Sequence, residues 1–154
     1  MATLYDRLMR DTEAAGLGAW RAELLGQTAG RVLELGSGTG VNLPLYGEQV
    51  SEVVFTEPDR TMRRQLEARL AQIQDPRMTI TDCAAETLPF ADGSFDWVVS
   101  TLVLCSVRDP AASLAEALGR GAAPPGPAVP GQACRPSGTA ASSPALSLRV
   151  SHFR

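Results

Sequence analysis

The sequence predicts an α/β fold in which a parallel sheet carries helices on both faces. Short apolar runs alternate with amphipathic segments along the chain, and glycine-rich or Asp-Gly turns punctuate that alternation. Of the 154 residues, 44% are hydrophobic, which is enough for the core of one domain. Strands that alternate with helices build βαβ units, whose strands are parallel.

Four apolar runs are the predicted strands of this sheet, at residues 31–35, 52–57, 78–82 and 95–101. A helix is predicted over residues 61–74, with Asp59 as its N-cap, and another after Asp109 and Pro110. Two short amphipathic helices are predicted near the N-terminus, separated at residues 16–18.

Charge and composition exclude several functions. The net charge is −3 and all 14 basic residues are arginine, so we expect no nucleic-acid partner and no Schiff-base chemistry. Three scattered cysteines and one histidine predict no metal site and no disulfide framework, which favours the cytoplasm. No apolar run approaches the roughly 18 residues of a membrane span, and charges within the first ten residues argue against a signal peptide.

A glycine-rich turn after the first strand is the predicted centre of the chemistry. Glycines at positions 36, 38 and 40 permit a tight turn and let backbone N–H groups approach a ligand. Glu57, at the end of the second strand, can accept both hydroxyls of a ribose. The spacing G-x-G-x-G differs from the dinucleotide pattern G-x-G-x-x-G, and Glu34 would repel a pyrophosphate but favour a cationic ligand.

Four segments resemble the motifs of class I S-adenosylmethionine-dependent methyltransferases, in the right order and spacing. They are Val-Leu-Glu-Leu-Gly-Ser-Gly-Thr-Gly-Val-Asn-Leu-Pro at 32–44, Thr-Glu-Pro-Asp at 56–59, Asp-Cys-Ala-Ala-Glu-Thr-Leu-Pro-Phe at 82–90, and the block at 92–107. The last is similar to the methyltransferase-like seven thiol methyltransferases. The resemblance implies a Rossmann-like sheet and S-adenosyl-L-methionine as cofactor. It implies that the cofactor is held by Glu34, Gly36, Ser37, Gly38, Gly40, Glu57, Pro58, Asp82, Cys83, Thr101 and Leu102.

The implied reaction is direct displacement onto a small-molecule acceptor, for which positioning suffices and no general base is required. A thiol, hydroxyl, small amine or lipid-like head group remains open, and no catalytic residue is assigned. Cys105 lacks a base to activate it and is expected to be a small buried apolar residue. A non-catalytic cofactor-binding remnant and, with less support, an NAD-dependent oxidoreductase are the alternatives.

The C-terminal region differs from the rest. We assign residues 1–118 to the cofactor-binding domain and residues 119–154, rich in proline, glycine and alanine, to a disordered or non-native tail. Reading codons 121–131 one nucleotide later permits a family-like residue at nine of ten positions. We therefore hypothesise an out-of-frame translation from about residue 121, through a frameshift, a sequencing error or a splicing difference. Strands five to seven of the family would then be missing, strand 95–101 would be an unpaired edge, and the truncated form would be a candidate for an inactive transferase.

Overall fold

The computed structural model describes residues 16–121, and it contains four parallel strands and three α-helices in that range. In chain order the elements are α1 (Gly18–Leu25), β1 (Gly30–Leu35), a 3₁₀ turn (Leu43–Leu45), β2 (Val50–Thr56), α2 (Arg60–Ile73), β3 (Met78–Thr81), β4 (Trp97–Ser100) and α3 (Pro110–Arg120). The first of the two predicted N-terminal helices and most of the assigned tail lie outside the described residues.

The strands form one sheet in the order β3-β2-β1-β4, and every neighbouring pair is parallel. The predicted parallel sheet is therefore confirmed. Because β1 pairs with β2 on one side and with β4 on the other, the chain reverses its direction of winding at β1. Ligands of open α/β sheets bind at such a switch point, beyond the carboxyl ends of the strands.

Helices cover both faces of the sheet, because successive residues of a buried strand point to opposite sides. On one face, Leu25 of α1 and Leu66 of α2 belong to a buried cluster with Val53. On the other face, Ala117 of α3 lies in a second cluster with Leu33. The apolar runs of the sequence are continuous because the strands are buried on both sides.

The second and third strands each end one residue earlier than predicted, which changes the position of two predicted site residues. The second strand ends at Thr56 and the third at Thr81, so Glu57 and Asp82 follow their strands instead of closing them. Asp59 is confirmed as the N-cap of α2, since its carboxylate accepts the N–H groups of Thr61 and Met62, both at 2.8 Å.

The outer edge of β4 differs from the expectation of an unpaired strand over residues 95–101. Regular pairing begins only at Trp97, and the chain after α3 returns to the start of this segment. Phe95 forms a parallel bridge with Gly121, and its N–H donates to the Arg120 carbonyl at 3.1 Å. The expectation is thus wrong at Phe95, whereas within residues 16–121 no strand pairs with the outer side of Trp97–Ser100.

Candidate functional site

A cavity of about 810 Å³ opens beyond the carboxyl ends of the strands, at the switch point. Its walls are the turn after β1 with Gly36 and Gly38, residues 57–59 after β2, residues 84–87 after β3 and the loop 101–108 after β4. Met62 of α2 completes the lining. Of the residues implied by the resemblance, the cavity is lined by Gly36, Gly38, Glu57, Pro58, Thr101 and Leu102.

Three N–H groups of the glycine turn, those of Gly36, Ser37 and Gly38, donate to residues at or just after the end of β2. Gly36 donates to the Thr56 hydroxyl at 3.3 Å, and Ser37 donates to the Thr56 carbonyl at 2.9 Å. Gly38 donates to Glu57 Oε2 at 2.7 Å. These three hydrogen bonds hold the turn against the end of β2, and each of the three N–H groups already has an acceptor within the protein.

The three glycines of the turn have positive φ values of 58°, 58° and 85°, and they serve different purposes. A Cβ on Gly36 would lie 2.6 Å from Val103 Cγ1, and one on Gly40 would lie 2.7 Å from Leu66 Cδ1. A Cβ on Gly38 meets nothing within 4 Å. Gly36 and Gly40 therefore permit close packing, whereas Gly38 leaves open space at the cavity wall that a side chain would fill.

Glu57 combines a structural role with exposure to the cavity. Its Oε2 accepts the Gly38 N–H at 2.7 Å, and its Oε1 accepts the Asp59 N–H at 2.8 Å. The residue is only 7% exposed, and it lines the cavity. Each carboxylate oxygen has a further lone pair, so a vicinal diol of a ligand could be accepted without breaking either bond.

Glu34 lies beneath the turn, not at the cavity wall. It is 1% exposed, its Oε1 accepts from Asn42 Nδ2 at 3.1 Å, and its Oε2 accepts from the hydroxyl of Tyr46. Burial raises the pKa of Glu34 despite these hydrogen bonds, and burial together with Glu34 raises the pKa of Tyr46 well above its ordinary value. Ser37 and Gly40 are likewise buried and do not line the cavity.

Asp82 and Cys83 lie beside the cavity but do not line it. Asp82 is exposed, and its Oδ1 pairs with Arg63 Nη1 at 2.7 Å. Burial, with a smaller effect of Asp82, raises the pKa of the Cys83 thiol to about 11, which keeps the thiol protonated and unreactive. The next residues along the chain, 84–87, form this wall instead.

Cys105 corrects a second expectation, because it is exposed and lines the cavity. Its thiol donates to the Leu102 carbonyl at 3.3 Å. Leu102 itself has a φ of 60°, a left-handed conformation that costs a residue with a Cβ roughly 1–2 kcal/mol. The chain therefore turns sharply where it leaves β4, and this turn brings the loop 101–108 over the cavity.

Glu86 and Asn42 are two site residues that sequence analysis did not identify. Glu86 lines the cavity, and its carboxylate accepts the N–H of Arg108 at 2.8 Å, which joins the loops after β3 and β4. Hydrogen bonds from its own N–H and that of Arg108 lower the pKa of Glu86. Asn42 lies within the glycine-rich motif at 32–44, but nothing local marks it as a site residue, because its importance depends on contacts distant in sequence.

Within residues 16–121, no cluster of three or more His, Cys, Asp or Glu side chains could hold a metal ion. In the same range, no helix has both the length and the apolar character that a membrane crossing requires.

A parallel sheet with a switch-point cavity and an acidic residue after its second strand defines a nucleoside-binding α/β domain. Comparison with known proteins identifies the family within this class. A family described as "Methyltransferase domain" matches residues 33–120, more than half of the chain. The chain belongs to this family, within the class I S-adenosylmethionine-dependent methyltransferases.

Individual relatives agree with the family. Thiol S-methyltransferase TMT1B of Mus musculus is 37% identical over 94 residues, which cover 58% of this chain and 38% of that protein. Phosphatidylethanolamine N-methyltransferase of Cereibacter sphaeroides is 33% identical over 81 residues, covering 53% and 40%. The chain therefore spans less than half the length of these relatives.

Solved structures show the same fold. A Methanococcus maripaludis protein that has been proposed to be an S-adenosyl-L-methionine-dependent methyltransferase superposes with a TM-score of 0.67 at 20% identity. The superposition covers 79% of this chain and 58% of that one. At this identity the likeness supports the Rossmann-like fold, and the predicted class of sheet is confirmed.

Proposed function

We propose that this chain binds S-adenosyl-L-methionine in the switch-point cavity and transfers its methyl group to a small-molecule acceptor. The observation that carries the proposal is the pairing of Glu57 and Gly38 at one wall. Glu57 offers carboxylate lone pairs to a ribose, and Gly38 leaves open the space that a side chain would fill.

The electrostatics of the cavity support a cationic cofactor. Three carboxylate residues, Glu57, Asp59 and Glu86, line the cavity, against one guanidinium, that of Arg108. S-adenosyl-L-methionine supplies a methyl group already activated on a sulfonium sulfur. The residues of this chain are left to bind, to orient and to exclude water, which agrees with the absence of an assigned general base.

For the acceptor we propose a thiol, hydroxyl, small amine or lipid-like head group, and no nucleic acid. The loop 101–108 supports this range, because Leu102, Val103 and Val107 give its wall an apolar character. Among the relatives, one is named as a thiol S-methyltransferase and one as a phosphatidylethanolamine N-methyltransferase. The unpaired thiols of Cys83 and Cys105 are in keeping with a reducing compartment, and we propose the cytoplasm.

Calorimetry with the full chain tests the proposal. We expect binding of S-adenosyl-L-methionine and S-adenosyl-L-homocysteine, and none of NAD. Binding of NAD without the other two would support the oxidoreductase alternative and overturn the proposal. If the cofactor binds, the chain is incubated with S-adenosyl-L-methionine labelled on its methyl group and a panel of thiols, alcohols, amines and lipids. Transfer of the label distinguishes a transferase from a non-catalytic remnant.

Two glycines provide a matched control for the position of the cofactor. Gly38 and Gly93 have φ values of 58° and 65°, and a Cβ on either meets nothing within 4 Å. Of these two glycines, Gly38 lines the cavity and Gly93 does not. Gly38→Leu should therefore abolish measurable cofactor binding, whereas Gly93→Leu should carry similar backbone strain and bind like the wild type. Equal binding by both variants would place the cofactor elsewhere.

A further inference from the structure

Asn42 is the centre of a buried polar cluster that joins three parts of the fold. The residue is 1% exposed, and its Oδ1 accepts from Arg21 Nη1 of α1 at 3.2 Å. Its Nδ2 donates to Glu34 Oε1 at the end of β1 and to Thr101 Oγ1 after β4, both at 3.1 Å. The side-chain amide thus uses its oxygen and both of its N–H groups.

Of these partners, Thr101 is the one that lines the cavity. Within residues 16–121, the one hydrogen bond of its hydroxyl is the bond that it accepts from Asn42 Nδ2. An amide N–H occupies one lone pair of the oxygen and leaves the hydroxyl proton available for donation. Thr101 is 8% exposed and lines the cavity, so this proton can be donated to a ligand there.

We propose that Asn42 is a positioning residue for the bound cofactor: it holds the Thr101 hydroxyl so that the hydroxyl donates to an oxygen of the ligand. The inference rests on the proposed function. It assigns to Asn42, which does not itself line the cavity, an effect on binding that passes through Thr101.

The chemistry of the cluster requires an amide at this position. An aspartate could accept from Arg21 but could not donate to Glu34 or Thr101, and it would place a second carboxylate beside a buried one. Tyr46 provides a matched control, because its hydroxyl binds the other oxygen of Glu34 and is not a partner of Thr101. Tyr46→Phe disturbs the same buried carboxylate without removing the bond between Asn42 and Thr101.

A double-mutant cycle on the full chain tests the coupling, with S-adenosyl-L-homocysteine as the probe in calorimetry. Thr101→Val and Asn42→Ala should each weaken binding about three- to tenfold, the loss of roughly one hydrogen bond. Asn42→Ala should add little in the Thr101→Val background. Thr101→Ser, which keeps the hydroxyl, should restore most of the binding lost in Thr101→Val, and Tyr46→Phe should bind within about twofold of the wild type. An equal loss from Asn42→Ala in both backgrounds, or wild-type binding by Thr101→Val, would overturn the proposal.

Asn42 can also be observed without substituting it, because it is the only asparagine in the sequence. Selective ¹⁵N-asparagine labelling gives a single side-chain amide in an NMR spectrum. Adding S-adenosyl-L-homocysteine should shift this signal in the wild type and much less in Thr101→Val. An unchanged signal in a wild type that binds the probe would overturn the inference alone, whereas a wild type that does not bind would overturn the proposed function and the inference with it.

Discussion

At the scale of single residues, we expect cofactor recognition to depend most on the side chain of Glu57. It fastens the glycine turn through Gly38 and faces the cavity at the same time. Glu57→Ala should weaken cofactor binding by about 1.5–3 kcal/mol, the scale of hydrogen bonds to a charged group. Titration calorimetry measures this change, and urea unfolding of the same variant measures the separate cost of loosening the turn.

Glu52 is a suitable control for Glu57, because it lies on β2, the strand that Glu57 follows, and pairs with Arg31 at the protein surface. Glu52→Ala should bind the cofactor like the wild type. A folded Glu57→Ala protein with an unchanged dissociation constant for the cofactor would show that Glu57 has only a structural role after β2.

Glu34 should make stability depend on pH in an unusual direction for a carboxyl group. Burial raises its pKa in the folded state, beside Tyr46 and Arg21, so the folded state holds the proton more tightly than the unfolded chain. Its contribution to stability is therefore full below the unfolded pKa of about 4.3 and is lost as pH rises through the folded pKa.

Urea unfolding of the wild type and Glu34→Gln at several pH values measures this effect. The stability of the wild type relative to the variant should fall as pH rises from about 4 through the mildly acidic range. A difference between the two proteins that does not change with pH would contradict the account of a buried, proton-retaining Glu34.

At the scale of elements, the two long helices begin at aspartate N-caps. Asp109 accepts the N–H groups of Ala111 and Ala112 at 2.9 and 3.0 Å, as Asp59 does for α2. Asp109→Ala should lower the free energy of unfolding by about 0.5–2 kcal/mol, and Asp109→Asn, which keeps an acceptor oxygen, should lower it less. Equal losses in urea unfolding would mean that the cap bond is not what stabilises α3.

The elements were largely predictable because their signals are local. Buried parallel strands are continuous apolar runs, and the N-cap of α2 is an aspartate placed before a helical pattern. The site was less predictable because its contacts join residues distant in sequence. Glu34 and Gly38 lie in one motif, yet the first is buried with Tyr46 and the second faces the cavity. Nothing local distinguishes them.

At the scale of the whole molecule, the C-terminal region bears on the outer side of β4, with which no strand within residues 16–121 pairs. The family match ends at residue 120, and Gly121 is already bridged to Phe95 beside that outer side. We propose that the codons from about 121 are read out of frame, and that the family-like reading would continue as a strand along Trp97–Ser100. Without such a strand, the unpaired backbone groups of β4 would be a template for aggregation.

Shifting the reading frame at about codon 121 should therefore raise solubility and methyl transfer together. Expression of both versions, followed by size-exclusion chromatography and a methyl-transfer assay, measures the two changes. A monomeric, cooperatively melting 154-residue chain that transfers methyl groups as well as the shifted version would contradict the proposal. So would an unambiguous in-frame sequence through codons 119–131, repeated in close relatives.

We propose that S-adenosyl-L-methionine occupies the cavity beyond the carboxyl ends of the strands. Hydrogen–deuterium exchange of the full chain, with and without S-adenosyl-L-homocysteine, tests it most directly. We expect slower exchange in peptides covering residues 36–42, 57–62 and 101–108, and unchanged exchange at the opposite end of the sheet around Val50. Protection confined to that opposite end, or no protection under conditions where calorimetry detects binding, would contradict the claim.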